Sequence, residues 1–106
     1  MYRKLPVMNT YIAIINFTQQ GLQNIHEAPQ RTTAFKAAAK KAGIKVTQIF
    51  KTLGEFDGFI VFEAKDDAAA SGLMLSLGSL GNVRTKTTRA FNTAEFAAIV
   101  ENRPKM

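Results

Sequence analysis

Thr52-Leu53-Gly54-Glu55-Phe56-Asp57-Gly58-Phe59-Ile60-Val61-Phe62-Glu63 is the stretch that decides the fold of this 106-residue chain. Glycine and acidic residues make its first half a turn, and the apolar run after them makes its second half a strand. Side chains alternate along a strand, so Phe59 and Val61 point one way while Ile60 and Phe62 point the other. A strand that is apolar on both faces belongs in the middle of a sheet covered on both sides. Tyr11-Ile12-Ala13-Ile14-Ile15-Asn16-Phe17 has the same character up to Asn16 and gives a second central strand.

The other elements follow outward from these two. Thr18 caps a short helical turn carrying Leu22 and Ile25. Pro29 suits the first position of the main helix, where its missing N–H costs nothing. Phe35, Ala38, Ala39 and Ala42 repeat at helical spacing and predict one buried stripe, with Gly43 ending the helix. Residues 44–53 mix Lys45, Thr47 and Lys51 with Val46 and Phe50, the pattern of an edge strand. Residues 56–64 form the third strand. Asp66 caps a second helix with Ala69, Leu73, Leu77 and Leu80 on its buried side and Gly81 at its stop. Residues 83–91, with Arg84, Thr85, Lys86, Thr87, Thr88 and Arg89, form a second edge strand. Asn92 and Glu95 make a capping box for a last helix carrying Phe96, Ile99 and Val100.

The order is βαββαβ plus a terminal helix. Short connections and right-handed crossovers turn it into a ferredoxin-like α+β domain, a four-stranded antiparallel sheet in the order 4-1-3-2. That order puts the two doubly apolar strands in the centre. Residues 9–101 are expected to form the single domain, with residues 1–8 an N-terminal extension and 102–106 a C-terminal tail. Two main helices cover only one face of such a sheet. The other is apolar enough that a second copy is the expected cover, giving a homodimeric α+β barrel or a larger homo-oligomer.

Composition excludes several kinds of chemistry. With no cysteine, disulfides and thiolate chemistry are impossible, and the single histidine, His26, rules out a multi-histidine metal site within one subunit. Phosphate loop, dinucleotide fingerprint, nucleophile elbow and metal-ligand spacing are all missing, so neither cofactor nor metal is expected. No apolar run is long enough to span a bilayer, and Asn9 and Thr10 break any leader-like core, which predicts a cytoplasmic protein. The net charge is +6, yet its Lys and Arg are scattered rather than blocked. A solvated surface explains them better than a nucleic-acid patch.

Thr10-Tyr11-Ile12-Ala13, Thr52-Leu53-Gly54-Glu55-Phe56-Asp57, and the run from Leu77 through Gly78-Ser79-Leu80-Gly81-Asn82-Val83-Arg84-Thr85 to Phe91 resemble the GYD-domain family of small prokaryotic proteins. The resemblance covers roughly residues 8–100 and implies a dimeric α+β barrel without an established activity. The family's Gly-Tyr-Asp signature departs here, because Glu55-Phe56-Asp57 keeps the aspartate, shifts the glycine to Gly54 and replaces tyrosine by phenylalanine. The Gly-Asn-Val-Arg-Thr segment is also similar to the effector-sensing domain of leucine-responsive regulators, which implies ligands bound between subunits. The helix-turn-helix of those regulators is absent from this sequence.

In the 4-1-3-2 order, the end of strand one and the starts of strands three and four meet at one end of the sheet. Asn16, Thr52, Asp57 and Arg84 converge there, with Glu55 and Asn82 nearby. A few convergent polar groups at an apolar interior make a ligand site. Arg84 suits a carboxylate, and Asp57 suits a base if desolvated. The competing reading is an Asp57–Arg84 salt bridge and an aspartate that fixes a turn. His26, the Lys36/Lys40/Lys41 cluster and Tyr11 read as surface, solvated face and packing. The expected function is binding of a small molecule, anions among the candidates, in the barrel between sheet and partner subunit. The alternatives are a cofactor-independent monooxygenase- or isomerase-like enzyme and an anion- or nucleic-acid-binding accessory protein.

Overall fold

The computed structural model describes residues 7–106. The elements are β1 (Asn9–Phe17), α1 (Gln19–Gln23), a 3₁₀ turn (Ile25–Glu27), α2 (Ala28–Lys41), β2 (Lys45–Lys51), β3 (Gly58–Ala64), α3 (Asp67–Ser79), β4 (Val83–Ala90) and α4 (Thr93–Glu101). The extension expected at residues 1–8 lies almost wholly outside the described residues. The sheet runs β2-β3-β1-β4, which is 4-1-3-2 read from the other edge, and every pairing is antiparallel. The fold is therefore the α+β, ferredoxin-like arrangement that the two doubly apolar strands demanded.

Register settles which residues share a face. Tyr11, Ala13 and Ile15 of β1 lie beside Phe62, Ile60 and Gly58 of β3, and all are buried beneath the helices. Phe35 and Ala39 from α2 and Ala70, Leu73 and Met74 from α3 complete this core. Phe62 is its largest fully buried side chain, with its ring stacked on Tyr11 at 5.4 Å between centroids. The opposite face carries Ile12 and Ile14 beside Val61 and Phe59, flanked by Gln48 and Phe50 on β2 and by Thr88 and Lys86 on β4. None of the helices among the described residues covers it.

Chain punctuation follows residue chemistry. Thr18 accepts the Gly21 N–H at 3.1 Å and Asp66 accepts that of Ala69 at 2.8 Å, so both helix starts are capped by side-chain oxygens. Gly43 and Gly81 take φ of 77° and 83° at the helix stops, the left-handed region that residues with a Cβ rarely enter. Gly21 has a different purpose. A Cβ there would lie 2.1 Å from the Asn82 carbonyl oxygen, so α1 can approach the loop before β4 only without one.

Three expectations need correction. Leu80 is 63% exposed rather than part of the α3 core, because the helix stops at Ser79 and turns it outward. In α2, Ala38 and Ala42 are exposed and only Phe35 and Ala39 are buried, because α2 and α3 stand apart instead of closing on each other. The second strand ends at Lys51 and the third begins at Gly58, so the turn between them is longer than expected.

α4 is formed as the sequence predicts, with the reciprocal bonds of a capping box between Asn92 and Glu95 at 2.8 and 2.9 Å. It buries none of its residues. The radius of gyration is 16.2 Å, against about 13 Å for a compact chain of this length.

Candidate functional site

The four candidate residues do gather at one end of the sheet, but two of them, Thr52 and Asp57, are occupied with holding the chain together. Asp57 closes the turn: its N–H donates to the Ile15 carbonyl at 2.9 Å, and its Oδ2 accepts the Phe17 N–H at 2.9 Å. The carboxylate thus serves the β1 backbone just where β3 has yet to begin pairing. Thr52 donates its hydroxyl to the Phe56 carbonyl at 2.6 Å and its N–H to the Asp57 carbonyl at 3.1 Å. Asn82 accepts the Thr18 N–H at 3.1 Å on its carbonyl and the Gln20 side-chain amide at 3.1 Å on its Oδ1.

Asn16 and Arg84 are different. They are cross-strand partners on the bare face, and Arg84 is exposed. Asp57 and Arg84 do not form the expected ion pair. Among the described residues the ion pairs are Arg31–Glu27 at 3.6 Å and Arg89–Glu95 at 3.5 Å. Glu55, His26, Lys36, Lys40 and Lys41 are exposed. No group of three or more His, Asp or Glu among the described residues is placed to hold a metal.

A polar network at the far end of the sheet was not read from the sequence. The Tyr11 ring packs as expected, and its hydroxyl donates to Asp67 Oδ1 at 2.5 Å and accepts from the Asn9 amide at 3.3 Å. Arg89 donates to Asn9 Oδ1 at 3.0 Å and to the Ala90 carbonyl, and its guanidinium lies 4.6 Å from the centroid of the Phe91 ring. Glu95 joins through Arg89. Burial, then the bond to Asp67, pushes the Tyr11 hydroxyl above its ordinary pKa. A tyrosine held neutral is no base, so this network is a strut that fixes where α4 leaves the sheet. The one signal for it was the doubled acid Asp66-Asp67, of which only the first was needed as a cap.

The second missed feature is a cleft on the helix side. Because α2 and α3 are splayed, an apolar cavity of about 300 Å³ opens between them, floored by Ile15 and Ile60 and walled by Phe35, Leu73 and Leu77. Arg31 and Lys51 stand among its lining residues. Small residues carry the hint: Ala28, Ala34 and Ala38 of α2 and Ser76 of α3 line the cleft and leave space rather than fill it.

Over residues 11–100 the sequence matches the GYD domain. The chain belongs to the GYD domain family. A relative from Thermus thermophilus is 30% identical over 92 residues, covering 86% of this chain and 97% of its own length. That protein is called the glutamine synthetase and cystathionine beta-lyase binding protein. Among solved structures, the GYD chain is similar to the crystal structure of MtbAldR at a TM-score of 0.62 and 14% identity, over 87% of this chain and 61% of the other. At that identity the likeness speaks for the fold alone. Among the described residues, no helix is long and apolar enough to cross a membrane.

Proposed function

We propose that this GYD-family chain is a binding module that works as an assembly of identical copies. The observation carrying this reading is the bare face of the sheet. Ile12, Ile14, Phe59 and Val61 form its centre, and Phe50, 56% exposed, continues it onto β2. Apolar surface of this kind marks an interface. Four strands about 4.8 Å apart and roughly 25 Å long present about 450 Å² in plan. A standard stable interface needs about 800 Å² from each partner. α4 supplies the rest, with Phe96 58%, Ile99 45% and Val100 40% exposed on a helix that projects from the sheet edge. Pairing through a two-fold axis covers both at once.

Such a pair leaves the Asn16, Thr52, Asp57 and Arg84 end at the mouth of the barrel. Thr52 and Asp57 are committed to backbone bonds, so Arg84 is the group that would meet a small anion there. The name of the Thermus relative favours a second use of the assembly, as a docking surface for metabolic enzymes.

Sedimentation velocity across a concentration series tests the first reading. A dimer or larger species is expected, and Ile14→Arg should reduce it to single chains that keep native circular dichroism. A lone wild-type chain at hundreds of micromolar would overturn it. Co-sedimentation with purified glutamine synthetase and cystathionine β-lyase tests the second reading, and free migration of both enzymes would remove it.

A further inference from the structure

We infer that the cleft between α2 and α3 is a binding site for a medium-length aliphatic carboxylate. It lies on the opposite side of the sheet from the pairing surface and stands independently of it. Three features coincide there. The cavity, at about 300 Å³, is at the lower end of the range for small-molecule sites, and its walls are Phe35, Leu73, Leu77, Ile15, Ile60 and Val83. Its lining is almost wholly hydrocarbon, so it suits a chain rather than a sugar or a nucleotide.

The second feature is a cation at the rim of the same cavity, Lys51, whose side chain is solvent-exposed. Lys51 donates from Nζ to the Thr32 hydroxyl at 3.0 Å, and among the described residues no carboxylate lies within ion-pair distance of it. Its charged neighbours are of the same sign: burial first, then Lys36 and Arg31, depress its pKa. Arg31 is partly answered by Glu27 at 3.6 Å and bonds the Asn24 carbonyl at 3.0 Å. An arriving carboxylate would answer the Lys51 charge and take the donor that Thr32 now occupies.

The third feature is that the lysine's seat is built. Lys51 is the register partner of Gly58, and a Cβ on Gly58 would come 2.7 Å from the Phe50 carbonyl oxygen and 3.5 Å from the Lys51 side chain. The glycine lets the β2 strand lie close and the lysine stem cross the end of the cavity. Head and tail requirements thus sit side by side: a carboxylate on the Lys51 ammonium, and an alkyl chain running between the two helices.

Isothermal titration of the full chain with hexanoate, octanoate and decanoate tests the assignment. Saturable binding of one molecule per chain is expected, tightening about fourfold per added methylene until the cavity is full. Lys51→Met should weaken octanoate by about tenfold or more, the loss of a charge-assisted bond. Ala38→Phe projects a ring from an exposed position that lines the cleft and should abolish binding while the melting curve stays native. Octanol should bind markedly more weakly than octanoate. Three results would each overturn the assignment: no saturable heat at millimolar octanoate, equal binding of octanol and octanoate, or loss of binding in Ile14→Arg but not in Ala38→Phe. The last would place the ligand on the pairing face instead.

Discussion

The two faces of this sheet are built from alternate residues of the same strands, yet only one of them lies buried under helices of this chain. Phe62 and Phe59 sit three positions apart on β3. Phe62 is fully buried under the helices. Phe59 is partly exposed and has the Phe50 ring at 5.5 Å for company. One face is buried beneath the chain's own helices and the other is not. Hydrophobicity does not distinguish them, since Tyr11, Ile15, Ile60 and Phe62 centre one face and Ile12, Ile14, Phe59 and Val61 the other. What separates them is the side on which the right-handed crossovers deposit α2 and α3.

The largest test of that contrast replaces each ring. Phe62→Ala removes a core side chain and should cost about 3–5 kcal/mol at any protein concentration, read from urea denaturation. Phe59→Ala should cost only about 1 kcal/mol in dilute solution, mostly the lost aromatic pair. Under the proposed pairing its effect should grow with concentration, because assembly would add stability to the wild type that this variant forgoes. Equal losses for both variants, independent of concentration, would mean that the bare face is already satisfied within one chain.

The candidate site offers a smaller contrast of the same kind. Asp57 is bonded to the β1 backbone and Arg84 is not bonded to Asp57 at all. Asp57→Ala leaves the part-buried Phe17 N–H without its acceptor and should cost about 1–3 kcal/mol. Arg84→Ala, on an exposed edge position, should stay within about 0.5 kcal/mol. A double-mutant cycle should show coupling near zero. Strong coupling would restore the ion pair that the sequence suggested.

That pair of residues also shows where the sequence stops being legible. Strand order, both edge strands, the caps at Thr18, Asp66 and Asn92 and the stops at Gly43 and Gly81 rest on local chemistry and period, and each was readable. The convergence of Asn16, Asp57 and Arg84 followed from topology alone. Which of them had spare bonding capacity did not, because the Asp57 acceptor is claimed by a backbone N–H forty residues away in sequence. The cleft was invisible for a related reason. Alanines at helical spacing predict a buried stripe only if something closes on them, and the distance between α2 and α3 is set by the whole sheet beneath.

The smallest effect separates the two ends of the helix-covered face. At one end Tyr11 is sealed, and its raised pKa means that the fold favours the neutral hydroxyl. Its contribution to stability is complete below the ordinary value of 10.0 and is lost as pH rises from there through the higher folded value. At the other end Lys51 has a lowered pKa, so the fold disfavours its cation. That penalty is present in full below the folded pKa and disappears as pH climbs toward the ordinary 10.5, so stability gains there. The slopes are opposite, and single substitutions resolve them. Tyr11→Phe should flatten the alkaline fall in urea midpoints above about pH 10, and Lys51→Met should remove the rise just below it. If octanoate fills the cleft, the rise should vanish in wild type as well, since an anion beside Lys51 restores its charge to favour. A sealed end and an open end on one face would then be told apart by the sign of a slope, with the open end the one that responds to ligand.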